Sequence, residues 1–130
     1  MKENSYLDDK TIIYWQKTLN LSDWELIVRQ NCPIREFQFE NVKAETEWNT
    51  ENKTATIKII ADNEYTDPMP FEKEKVLIHE LLHLKFALLW ESNTELQNAL
   101  LHQIIEEMAR LLFYLKKGEK DERKRIKKLS

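Results

Sequence analysis

Glycine is nearly missing from this chain: there is one in 130 residues, beside three prolines and a single cysteine, where ordinary usage gives roughly nine glycines. Chemistry that needs a glycine-rich turn is excluded, both the phosphate-cradling P-loop and the dinucleotide fingerprint, because their backbones approach the ligand where a Cβ would clash. With Cys32 alone, neither an intrachain disulfide nor a cysteine-built zinc cage can form. Long apolar runs are also missing. The most apolar stretch, Val76 to Trp90, is 15 residues long and includes His79, Glu80, His83 and Lys85, short of the ~20 apolar residues that span a bilayer. The first ten residues, MKENSYLDDK, are polar and acidic with no apolar core or small-residue cleavage site, so a cytoplasmic location is expected.

What is there is charge, unevenly placed. The net −3 divides into +5 over Lys116 to Ser130 and −8 over residues 1–115. A basic run of this kind can contact nucleic acid or another anionic partner, and it can equally be a solvated helix extension. One domain over residues 1–117 followed by a basic tail over residues 118–130 is expected, since no repeat or low-complexity linker divides the chain.

The first half reads as one helix and three strands. Asp8 and Asp9 are suitable caps, and Ile12, Trp15 and Leu19 recur at helical spacing, so a helix is expected to end near Asn20. Trp24, Leu26 and Val28 alternate with Glu25, Ile27 and Arg29, as in a strand. Val42, Ala44, Thr46 and Trp48 alternate in the same way with Lys43, Glu45, Glu47 and Asn49. After the loop Thr50 to Lys53, a third alternation places Ala55, Ile57, Ile59 and Ala61 on one face. An antiparallel hairpin of the last two strands follows, within a small antiparallel three-stranded sheet.

The second half is helical. Asp67, Pro68 and Pro70 suit a helix start, and Phe71 to Trp90 holds no breaker. Ser92 and Glu95 match a capping box, so a second helix is expected from about Asn93. Its stripe of Leu101, Ile104, Ile105, Met108, Leu111, Leu112 and Leu115 runs to about Lys117, where Gly118 is placed to end it. The expected class is α+β: an N-terminal helix, a small sheet, then two long antiparallel helices.

The first long helix contains His79-Glu80-Leu81-Leu82-His83. Four residues apart at 100° each, the two imidazoles share one face and can grip one metal ion, while Glu80 lies beside them and can reach a water. The bland alternative is a pair of ordinary hydrogen-bonded histidines. Against it, burying two imidazoles and a carboxylate in an apolar helix without a partner is costly. A catalytic zinc site takes a third protein ligand. With the interhelical turn near residue 92, His102 falls level with His83 and Glu106 level with His79, so either can serve; His102 is preferred, with Glu106 as ligand or supporting carboxylate.

The segment VLIHELLHLK, Val76 to Lys85, resembles the extended signature of zincin metallopeptidases. Its spacing to residue 102 is similar to the gluzincin arrangement, which has a glutamate where this chain has His102; Lys85 stands where the signature usually holds an apolar residue. The chain also resembles minimal metallopeptidases of bacteria and their phages, the SprT-like proteins, over roughly Thr54 to Leu115. The resemblance implies a Zn²⁺ cofactor held by His79, His83 and His102, with Glu80 as general base in hydrolysis of a peptide or protein substrate. It further implies an edge strand that binds substrate, for which Ala55 to Ala61 is the expected segment. Tyr65, Arg110 and Tyr114 are available as oxyanion donors, though each suits a packing or solvated role better, and Trp24, Trp48 and Trp90 are expected in the core or at its rim. The competing expectation is a non-catalytic module in which zinc clamps the two helices and the basic tail meets nucleic acid; a fourth protein ligand would mark it.

Overall fold

A computed structural model describes residues 6–39, 42–65 and 71–129, with side chains described through residue 120. The α+β arrangement is present: α1 (Asp9–Thr18), β1 (Glu25–Cys32), β2 (Ala44–Asn49), β3 (Thr54–Ile60), α2 (Lys73–Lys85), α3 (Ala87–Ser92) and α4 (Glu95–Leu129). Asp67, Pro68 and Pro70, expected at the start of the first long helix, lie outside the described residues.

The three alternating segments form the strands with the faces expected of them. Ala55, Ile57 and Ile59 of β3 are buried, and their partners on the same face are Leu26 and Val28 of β1 and Ala44, Thr46 and Trp48 of β2. The opposite face carries Lys58, whose Nζ donates to the Glu36 carbonyl at 2.7 Å and lies 3.8 and 3.6 Å from the carboxylates of Glu45 and Glu47.

The strand order corrects the expected sheet. β3 lies in the middle, antiparallel to β2 but parallel to β1, so the sheet is mixed. The reason lies in the connection after β1. Pro33 has no N–H to continue a ladder, and residues 33–43 are too many for a tight hairpin. β2 does not pair with β1, and β3 fills the place between them.

α2 is buried nearly all round, a pattern that requires neighbours on several sides: β2 and β3 on one side, α1 and α4 on others. Leu77, Ile78 and Leu81 are fully enclosed, and Leu101, Ile105 and Ala109 of α4 close over them. One carboxylate ties three helices together. Glu74 Oε2 on α2 accepts from Trp15 Nε1 of α1 and from Lys116 Nζ of α4, both at 2.6 Å.

Three helix boundaries differ from expectation. The helix expected over 71–90 bends at Phe86, separating α2 from α3; no proline or glycine stands there, and the bend brings Ala87 into the core. The capping box sits two residues later than Ser92/Glu95. The Thr94 hydroxyl accepts from the Gln97 N–H at 3.2 Å, and Gln97 Oε1 accepts from the Thr94 N–H at 2.9 Å, the same reciprocal chemistry with other residues. Gly118 does not end the last helix, which continues to Leu129. Its φ is not in the left-handed region, so it is an interior helix glycine and not a cap.

Candidate metal centre

α2 presents Lys75, His79, Glu80 and His83 toward a cleft of about 560 Å³ between α2, α4 and β2. His79 and His83 are one turn apart on its face, and Nε2 of each lies 3.2 Å from the other. His102 reaches the same point from α4, its ring 5.0 Å from that of His79 and 5.4 Å from that of His83. One nitrogen from each of the three falls within a 4.8 Å sphere of mutual distances. Glu106 stands opposite His79, as the hairpin levelling leads one to expect, while His102 lies between the two α2 histidines, its ring slightly nearer His79 than His83.

The geometry also separates the roles of His102 and Glu106. Glu106 Oε1 lies 2.7 Å from Nδ1 of His79, the contact of a carboxylate accepting the imidazole N–H. That bond fixes the tautomer and leaves the lone pair of Nε2 facing the other two histidines, the arrangement that supports a histidine ligand from behind. The chemistry of the donor set fits zinc: nitrogens on a tetrahedral zinc at 2.0–2.1 Å stand about 3.3 Å apart, close to the 3.2 Å between His79 and His83.

His79 and His83 sit where the neutral form is favoured. Burial pushes His83 down to about 3, and the neighbouring His79 and His102 add to the fall. Burial likewise lowers His79, although Glu106 opposes it. Neutral histidine is the form that binds metal, so protons compete weakly for these nitrogens.

Glu80 lies behind this face, 8% exposed. Its Oε1 accepts from the Thr46 hydroxyl of β2 at 2.5 Å. Burial raises its carboxyl to about 7 in spite of that hydrogen bond, and the negative charges of Glu45 and Glu106 add to the rise. A carboxyl titrating there can take up a proton and return it near neutral pH.

β2 supplies the cleft's other wall. The expected substrate strand, Ala55 to Ala61, is corrected: β3 is hydrogen-bonded on both sides and has no edge to offer. β2 is the edge strand beside α2, and Thr46 and Trp48 face the cleft. Trp48 Nε1 donates to Glu91 Oε2 at 2.7 Å, while the Trp90 ring stands edge-on to His83 at 4.9 Å. Trp24 packs against the core. Tyr65, Arg110 and Tyr114 do not line the cleft; Tyr65 stacks on Phe71 at 4.3 Å, and the Tyr114 hydroxyl lies 3.4 Å from Glu72. Lys85 is exposed on the far side of α2, in a separate depression with Asn20 and Asp23. Thr46 is the site residue that sequence reading passed over, for it appeared only as one apolar-face position of a strand. Two lysines, Lys43 and Lys75, also reach the cleft.

Comparison with known protein families, with curated proteins and with solved structures gives no match to this chain. Among the described residues no helix is long and apolar enough to cross a membrane.

Proposed function

We propose that this chain is a zinc-dependent metallopeptidase that hydrolyses peptide bonds. One observation carries the reading: three histidines converge on one point, beside a buried carboxyl whose titration has been moved to about 7. His79, His83 and His102 would hold the ion, and Glu106 orients His79 from behind. When bound, zinc supplies Lewis-acid chemistry, polarising a carbonyl and acidifying water.

The chain's own residues do the rest. Thr46 fixes the Glu80 carboxylate through Oε1, which leaves Oε2 to accept a proton from the attacking water. Glu80 then returns that proton to the departing amine. The outer edge of β2 is in position to take an extended peptide as an added strand, whose main chain would pass the three histidines. Among the described residues the histidine cluster has three members, and the nearby carboxylate that could close a fourth position, Glu106, is committed to His79. An open position marks catalytic zinc sites and favours this reading over a purely structural clamp.

The test has two parts. Protein purified without added zinc is analysed for metal and assayed against an unstructured protein substrate, then compared with Glu80→Gln. One zinc per chain is expected, with kcat lowered about 10²–10⁴-fold by the substitution. Zinc-free protein, or cleavage indifferent to Glu80→Gln, would overturn the proposal.

A further inference from the structure

The cleft beside the three histidines has two unlike ends, and two contacts fix which residues stand at each. The Thr46 hydroxyl of β2 meets Glu80 of α2. Two residues further along β2, the Trp48 indole meets Glu91 of α3, beyond the end of α2. β2 and α2 therefore run the same way along the cleft, with their earlier residues together at one end. Lys43 and Lys75 line that end, and Trp48 and Trp90 line the other. The histidines lie between: Lys75 is one helical turn before His79, and the Trp90 ring stands edge-on to His83.

The acidic side chains that share the cleft are already engaged. Glu80 accepts from Thr46, Glu106 accepts from His79, and Glu45 accepts from the N–H groups of Gln38 and Phe39 at 2.8 and 3.0 Å. Glu47 faces Lys58 on the other side of the sheet. The two cleft lysines are less committed. Among the described residues Lys43 pairs with no carboxylate; its Nζ lies 6.0 Å from the centre of the Tyr65 ring. Lys75 Nζ stands 3.7 Å from Glu72 Oε1, too far for a direct hydrogen bond. Both lysines are half-buried, where an arriving anion is screened less than at open surface.

An extended peptide on the outer edge of β2 pairs best antiparallel to it. Its chain then enters at the tryptophans and leaves at the lysines, so residues C-terminal to the bond held at the histidines reach Lys43 and Lys75. A strand advances about 3.3 Å per residue, and Lys75 precedes His79 by about 6 Å along α2. The residue that meets the lysines is therefore about two positions beyond the cleaved bond. Two ammonium groups there suit a carboxylate, from an acidic side chain or from the peptide's own C-terminus.

We propose, resting on the peptidase reading, that the cleft selects peptides with a carboxylate C-terminal to the cleaved bond, held by Lys43 and Lys75. A large apolar side chain on the other side of the bond packs against Trp48 and Trp90. The lysines act on binding and take no part in the proton transfers at Glu80.

The test incubates zinc-loaded protein with a mixture of synthetic tetradecapeptides of diverse sequence, half of them amidated at the C-terminus, and maps the cuts by mass spectrometry. Asp and Glu are expected two or three positions C-terminal to the cut at up to about fivefold their frequency in the mixture, the effect of one ion pair. Cuts confined to the last bonds of unamidated peptides would name the terminal carboxylate as the source and equally support the site. Lys43→Glu combined with Lys75→Glu should reverse the preference toward Lys and Arg, a gain that loss of structure cannot produce. Fluorescence anisotropy of labelled acidic and basic peptides on Glu80→Gln protein, with and without the two lysine substitutions, reads the same preference without cleavage. Cleavage with no bias toward carboxylates, or a bias that survives the double substitution, overturns this inference and leaves the peptidase reading standing. No cleavage, but acid-selective binding that the double substitution reverses, overturns the peptidase reading and upholds the carboxylate site. Neither cleavage nor selective binding overturns both.

Discussion

Glu80→Gln should change how the metal-free fold responds to pH, by an amount the burial of this carboxyl fixes. The Glu80 carboxyl titrates at about 7 in the fold and at 4.5 when exposed, so the folded chain holds its proton more tightly than the unfolded chain. The resulting stability is fully present below about pH 4.5 and is lost as pH rises through 7. With each pKa unit worth about 1.4 kcal/mol, the loss comes to roughly 3 kcal/mol. His83 works in the opposite sense. Its value of about 3 in the fold lies below the 6.5 of a free imidazole, so its contribution is present above pH 6.5 and disappears as pH falls toward 3. Between pH 4.5 and 6.5 the two slopes are equal and opposite. The native chain should therefore show little net slope from this pair, whereas the stability of Glu80→Gln should rise by about 1.4 kcal/mol per pH unit relative to it. The amide that replaces the carboxylate still accepts from the Thr46 hydroxyl, so what the substitution does to packing is a constant offset. The assay is urea unfolding in the presence of a chelator, followed by tryptophan fluorescence across pH 4.5 to 8. A gap between native and variant stability that stays constant to within about 1 kcal/mol over that range would refute the account of Glu80 as a desolvated carboxyl.

Other substitutions test separate parts of the structure. His102→Ala should remove most zinc affinity, whereas Glu106→Gln should lower it about 10–100-fold, the usual cost of losing a carboxylate behind a histidine ligand; isothermal titration reads both, and an equal loss at both positions would make Glu106 a ligand. Thr46→Val leaves Glu80 without its hydrogen bond and should cost about 1–3 kcal/mol in urea unfolding at pH 8, where the carboxylate is charged; no change would mean that the Thr46 hydroxyl bond is not maintained in solution. Gly118→Ala should raise helix content and protect neighbouring amides from exchange, by about 0.5–1 kcal/mol; lower helicity would show that Gly118 is a left-handed cap after all. Glu74→Ala strips Trp15 Nε1 and Lys116 Nζ of a shared acceptor and should lower the thermal midpoint more than the exposed Glu95→Ala does.

The parts of this fold that sequence could reveal are those set by short-range periodicity. Two residues four apart on a helix must share a face, so His79 and His83 were readable, and one turn between antiparallel helices was enough to bring His102 to the pair and Glu106 level with His79. Strand faces were readable for the same reason, through the alternation of Ala55, Ile57 and Ile59. Strand order was not. Alternation says which side of a strand is buried but nothing of its neighbour, and the usual pairing of consecutive strands fails where β3 comes to lie between β1 and β2. The bend at Phe86 has no proline or glycine to announce it, and nothing in the local pattern marks where Ala87 turns into the core. The cap at Thr94 was hidden by a second match to the same pattern two residues earlier. Thr46 was unreadable as a site residue because its role depends on β2 lying against α2, a contact between segments 34 positions apart.

α4 bears His102 and Glu106 beside Ile105 and Ala109, so the side chains gathered at the candidate metal centre share a helix face with those that close the core. An ion held between His79 and His83 of α2 and His102 of α4 would therefore clamp the same two helices that the core joins, and would stabilise the fold by its binding free energy. Chelation should then lower the urea midpoint of the zinc-loaded native chain, and leave that of His102→Ala nearly unchanged.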